Sequence, residues 1–111
     1  MSLINASVIA DLKDLSGADL LHALIDVFLD ETPKLLVAMD VAVHAGDVDG
    51  FRRSAHSLKS NAETFGAAEL AGMARELEAM GRAGDLSVGA RLTEVRIACE
   101  AACAELRSLR A

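Results

Sequence analysis

Apolar residues recur three and four positions apart along this chain, and apolar/polar alternation is missing throughout, so the pattern predicts helices and no strands. The clearest run is Val48, Phe51, Ala55, Leu58, Ala62 and Phe65, the seam of a helix packed against other helices. Asp47 opens that helix and Gly66 closes it. The same spacing returns in Leu70, Met73, Ala74, Leu77 and Met80, a helix that stops at "GRAGD". It returns again in Leu92, Val95, Cys99, Ala102, Leu106 and Leu109, a helix that Asp85 or Ser87 can cap. Upstream, "DETPK" reads as a helix break, with Thr32 as N-cap and Pro33 in the first helical position. The helix that follows runs to about Ala45 and ends at Gly46. Before the break, Asn5 caps a short helix carrying Val8, Ile9 and Leu12. Ser16, with Asp19 three residues on as in a capping box, opens another that carries Leu20, Leu21, Leu24, Ile25, Phe28 and Leu29.

Four helices from Thr32 onward, joined by short turns, must lie antiparallel to their neighbours. The expected fold is all-α: an antiparallel up-down-up-down four-helix bundle with one or two additional N-terminal helices. It forms a single domain over 1–111, with an N-terminal helical cap over about 5–30 and the bundle over about 32–110. Composition agrees, since 52% of the 111 residues are hydrophobic and 25% charged, enough for a core and against disorder. One proline and no tyrosine or tryptophan favour helix over sheet.

The net charge of -6, with no dense basic run, argues against nucleic acid as a partner. No apolar run is long enough to span a bilayer, and "MSLINASVIA" lacks the basic start and apolar block of a signal peptide, so the expectation is a soluble cytoplasmic protein without a membrane partner. Cys99 and Cys103, four apart in a helical pattern, read as small core residues rather than a disulfide or metal pair.

One helical residue stands out. With about 100° of turn per residue, His56 lies roughly 135° from the seam of its helix, on the solvent side. Arg52, Lys59, Ser60 and Glu63 are its neighbours one or two turns away, and Arg53 shares the outward side. Arg52, Arg53 and Lys59 form a basic patch on an acidic chain, and Ser60 is small enough to leave the ring open. A neutral imidazole is a nucleophile, and one ringed by cations suits a dianionic phosphoryl group. Lys59 is placed to touch that group, Arg52 and Arg53 to steer an acidic partner, and Glu63 to pair with Lys59. A metal site has little support: His22, His44 and His56 are the three histidines, and no Glu-x-x-His occurs.

At these residues the chain resembles the histidine-containing phosphotransfer (HPt) domain family. The family motif reads here as His56, Leu58, Lys59, the small pair Ser60-Asn61 and Gly66-Ala67. Leu70, Leu77 and Glu78 continue it in the next helix, and "LIDVFLDETPKLL" resembles the two-part helix upstream. Ser60 departs from the pattern, which has glycine after the lysine. The resemblance implies a phosphorelay intermediate rather than an enzyme. His56 would accept a phosphoryl group from a receiver-domain aspartate or a histidine kinase, hybrid kinases included, and pass it to a response-regulator receiver, with Lys59, Ser60, Arg52 and Arg53 supporting the site. It implies no cofactor of its own, Mg²⁺ belonging to the receiver, and a monomer. The absence of a glycine-rich phosphate loop agrees. The alternatives are a helical adaptor whose histidine is incidental, and a dimeric kinase phosphoacceptor domain, which places an acid where Ser57 stands. The surplus apolar residues of the 33–45 helix, among them Val37 and Val41, are expected to pack beneath the N-terminal segment or, failing that, to meet the receiver, with Leu12 and Leu15 at its fringe.

Overall fold

The structure, a computed structural model, describes residues 3–110; residues 1, 2 and 111 of the expected span lie outside the described residues. Four helices follow in order: α1 (Ala6–Ala45), α2 (Val48–Thr64), α3 (Ala68–Arg82) and α4 (Gly89–Arg110). Asn5 caps α1, its Oδ1 accepting the backbone N–H groups of Ser7 and Val8, and Asp47 caps α2 through the N–H of Gly50. Neither Asp85 nor Ser87 caps α4. Asp85 Oδ1 instead accepts the N–H of Ser87 within the connecting turn, and the helix starts after Val88.

The expected break at Thr32-Pro33 does not occur. α1 continues through Pro33 to Ala45, and its one departure from helical geometry is Gly17 (φ 80°, ψ 163°), beside Ser16. The boundary expected near residues 30–32 between a helical cap and the bundle therefore has no counterpart in the chain path. Pro33 has no N–H to offer the carbonyl of Leu29, a defect that costs about 3 kcal/mol in a helix interior. Against that stands a buried stripe that keeps its phase across the proline: Leu21, Ile25, Phe28, Thr32, Met39 and Ala42. Each large apolar side chain in it contributes about 1.5–3 kcal/mol by burial, so packing outweighs the lost bond. Thr32 does not cap; its hydroxyl is buried and is the one buried side-chain polar atom without a partner among the described residues.

A straight helix of 40 residues would measure about 60 Å. The whole fold is only 42 Å long, because the chain turns at Gly17. The segment before the bend closes the lower end of the bundle. Ile4 is buried there, the N–H of Asn5 reaches the carbonyl of Phe65, and Leu3 N–H reaches Glu105 Oε1. Gly66 (φ 64°) is required at this junction twice over, since a Cβ would also fall 2.6 Å from Asn5 Cβ and 2.8 Å from Val8 Cγ2. Because the N-terminal segment crosses the end of the bundle, it does not cover the 33–45 stretch, and Val37 and Val41 stand exposed where burial was expected.

From residue 18 onward the helices form a square. α1 neighbours α2 and α4, α3 neighbours the same two, and the backbones on the diagonals lie further apart. Cross-links show neighbours running antiparallel: Asp40 with Arg96 and Asp26 with Arg110 between α1 and α4, and Glu31 with Asn61 between α1 and α2. Five of the six α2 seam residues are buried as the spacing predicts, Phe51, Ala55, Leu58, Ala62 and Phe65 all at 2% exposure or less, while Val48 at the start of the helix is half-buried. Phe65 meets Phe28 edge to face at 5.5 Å. Cys99 and Cys103 are buried, free thiols; burial pushes the Cys99 thiol up to about 12 and raises that of Cys103, which disfavours the thiolate at both. Leu109, expected in the α4 seam, is instead half exposed at the end of its helix.

Candidate functional site

The α2–α3 edge of the square is built from small residues. α2 buries Ala55 and Ala62, and α3 buries Ala71, Ala74 and Gly81. A Cβ on Gly81 would come within 3.1 Å of Phe51 Cδ2 and 3.3 Å of Arg52 Cα, so the two backbones lie close. That closeness allows a side chain of α3 to reach functional groups on the outer side of α2.

The side chain that does so is Glu78. It lies in the inward stripe of α3 beside Leu77, is 4% exposed, and is one of two buried polar residues among those described. Three nitrogens converge on its carboxylate. His56 Nδ1 is 2.8 Å from Oε2, Lys59 Nζ donates to Oε1 at 2.9 Å, and Arg82 Nη2 donates to Oε2 at 3.3 Å. The Lys59 hydrogen bond, opposed by burial and aided by His56, holds the Glu78 carboxyl below its ordinary value of 4.5. An ionised carboxylate only accepts, so Nδ1 carries the proton and donates. In the neutral ring the free lone pair is then on Nε2, and the side chain is 55% exposed.

The predicted site residues separate in the structure. His56 and Lys59 are brought together through Glu78. Lys59 does not pair with Glu63, which instead sits 3.9 Å from Arg75, because the buried carboxylate across the helix interface is the stronger acceptor. Arg52 and Arg53 both bind Asp49, at 2.7 and 3.1 Å, and pull its carboxyl below the ordinary range, so the basic patch is partly neutralised on its own helix. Arg53 also lines a groove toward α1 with Leu35, Ala38 and Val41. Ser60 is exposed beside His56 and leaves the ring accessible. Glu78 and Arg82 were not among the predicted site residues. Glu78 entered the sequence reading only as a continuation of the family motif, with no site role, though a carboxylate in an apolar stripe between Leu77 and Gly81 was a further signal; for Arg82 there was only its place one turn after Glu78.

The chain belongs to the histidine-containing phosphotransfer (HPt) domain family: the Hpt domain matches residues 23–109. It is 33% identical over 85 residues to the phosphorelay protein LuxU of Vibrio vulnificus, in strains YJ016 and CMCP6, covering 77% of this chain and 74% of LuxU. Its fold superposes on the crystal structure of histidine-containing phosphotransfer protein B (HptB) from Pseudomonas aeruginosa PAO1 with a TM-score of 0.90 and 28% identity, covering 96% of this chain and 93% of that one. No helix among the described residues is long and apolar enough to cross a membrane.

Proposed function

We propose that the protein is a phosphorelay intermediate that carries a phosphoryl group on Nε2 of His56. The observation that supports this most directly is the Glu78–His56 hydrogen bond, which in the neutral ring keeps the proton on Nδ1 and the lone pair on Nε2, in a side chain that is 55% exposed. The donor is the aspartyl phosphate of a receiver domain or a histidine kinase, and the acceptor is the aspartate of a response-regulator receiver.

In acceptance from a receiver, the Nε2 lone pair attacks phosphorus in line, the P–O bond of the acyl phosphate breaks, and its electron pair stays on the aspartate. The ring becomes a phosphoimidazolium, and the Glu78 carboxylate stabilises the positive charge through Nδ1–H. In the reverse sense the ring leaves as neutral imidazole with Nδ1 still protonated, so no proton has to move at the transfer step. Phosphoryl transition states are loose and need positioning and charge balance more than covalent help, and Lys59 supplies a cation one turn from the ring. The domain contributes a carrier residue; nucleotide chemistry and Mg²⁺ belong to its partners. It works as a cytoplasmic monomer.

The test is His56→Gln. The variant should fold with an unchanged helical circular-dichroism spectrum and lose all acid-labile, base-stable phosphate when incubated with a phosphorylated receiver. Full labelling in that variant would end the proposal.

A further inference from the structure

The face between α3 and α4 has a feature of its own. These two helices lie further apart than α2 and α3 do, and the space between them is an open groove of about 370 Å³. Its floor is apolar. Leu3 and Met73 are half-buried in it, Ile97 is 63% exposed, and Ala101 is exposed and small, which keeps the groove open. Two exposed carboxylates complete the lining, Glu69 from α3 and Glu94 from α4, and no cation among the described residues lines it. Neither carboxylate has an ion pair among the described residues, whereas the nearby Glu63 and Glu76 face Arg75 and Arg91. At about 100° and 1.5 Å per residue, Glu69 lies on the side of α3 opposite Glu78 and roughly 13 Å from it along the axis. A molecule seated in the groove therefore leaves the imidazole of His56 uncovered.

We propose that this groove seats a basic amphipathic helix of a partner protein, its apolar stripe on Met73 and Ile97 and its lysines or arginines against Glu69 and Glu94. Two helices that part over an apolar floor form the kind of groove that takes the ridge of a third. Charge then selects among the possible occupants. A nucleic acid or an anionic membrane would meet two uncompensated carboxylates. A second copy bound through the same face would bring four carboxylates together with no cation in the lining to separate them. A cationic helix gains an apolar contact and two ion pairs, and the chain's net charge of -6 draws it in from a distance. The inference goes beyond the phosphotransfer reading and uses none of its chemistry: the helix holds the domain by one face while His56 stays open on another.

The probe is an amidated peptide of about 18 residues, made of leucine, alanine and lysine with the leucines three and four apart. It is titrated into the intact ¹⁵N-labelled protein and followed by ¹H–¹⁵N NMR, beside a peptide of the same composition in scrambled order. Shifts should gather on Met73, Ile97 and Ala101 and spare His56. Replacing both rim carboxylates, Glu69→Gln with Glu94→Gln, should weaken binding about three- to tenfold, and Ile97→Ala about tenfold. Asp14→Asn with Asp19→Asn makes the same change of charge at exposed positions of α1 and should leave the affinity unchanged. The inference is overturned by an absence of binding, by equal affinity for the scrambled peptide, or by shifts centred on Val37 and Val41 of α1. It is overturned as well by an affinity that survives loss of the two carboxylates or of the Ile97 side chain. Shifts of the groove residues with protein concentration alone overturn it in favour of a second copy. Failure of His56 to take label in a separate assay would end the phosphotransfer reading and leave this inference standing.

Discussion

Replacing Glu78 by alanine removes one carboxylate and three contacts at once: His56 at 2.8 Å, Lys59 at 2.9 Å and Arg82 at 3.3 Å. A hydrogen bond to a charged group is worth about 1.5–3 kcal/mol. The imidazole is 55% exposed and water competes for Nδ1, so the lower end applies. About 1.5 kcal/mol corresponds to roughly tenfold in the ratio of the two neutral tautomers. Nε2 is nucleophilic only when Nδ1 carries the proton, so labelling of His56 at neutral pH should slow with the fraction of that tautomer, by up to about tenfold. The cost to folding is smaller than for a fully buried ion pair, because Lys59 and Arg82 can both reach water. Stability should fall by about 1–3 kcal/mol, and the domain should remain folded. Two-dimensional ¹⁵N NMR of the imidazole reads the tautomer, urea unfolding reads the stability, and a phosphorylated receiver supplies the labelling rate. A tautomer ratio and a labelling rate both equal to wild type would refute the argument that Glu78 sets the reactive nitrogen.

Three further outcomes follow from the packing and the charges. Phe51→Ala, at a site with 0% exposure, should cost about 3–5 kcal/mol in urea unfolding, and a loss under 1 kcal/mol would contradict its place in the core. Gly81→Ala puts a methyl group 3.1 Å from Phe51 Cδ2 and 3.2 Å from Arg52 Cβ; it should destabilise by about 1–3 kcal/mol and slow labelling by parting α3 from α2, whereas unchanged melting would show that the helices can yield. Glu78 has a carboxyl lowered in the fold from an ordinary 4.5, so its contribution is complete above that value and is lost as pH falls through the lower folded one. Urea midpoints measured from about pH 6 to pH 3 should drop less steeply in Glu78→Gln than in wild type, and parallel curves would exclude the linkage.

Much of the molecule was legible along the chain. The α2 seam, the capping by Asn5 and Asp47, and the turns at Gly46 and Gly66 were read correctly because each depends on residues within a turn or two of one another. So was the outward direction of His56, which follows from helical geometry alone. Pro33 is a local helix breaker that the longer pattern overrides. Leu21, Ile25, Phe28, Thr32, Met39 and Ala42 keep a single phase across it, and burial of that stripe decides the matter.

The sequence by itself determined the helices, their inward faces and a histidine directed at solvent, since periodicity and turn chemistry act over short stretches of chain. Only the tertiary structure decided the chemistry of that histidine. Glu78 lies 22 residues from His56 and 19 from Lys59, and it meets them only because small residues let α2 and α3 lie close in one register. Register between helices is set by how side chains of both fit together, so neither helix read alone could place the proton on Nδ1.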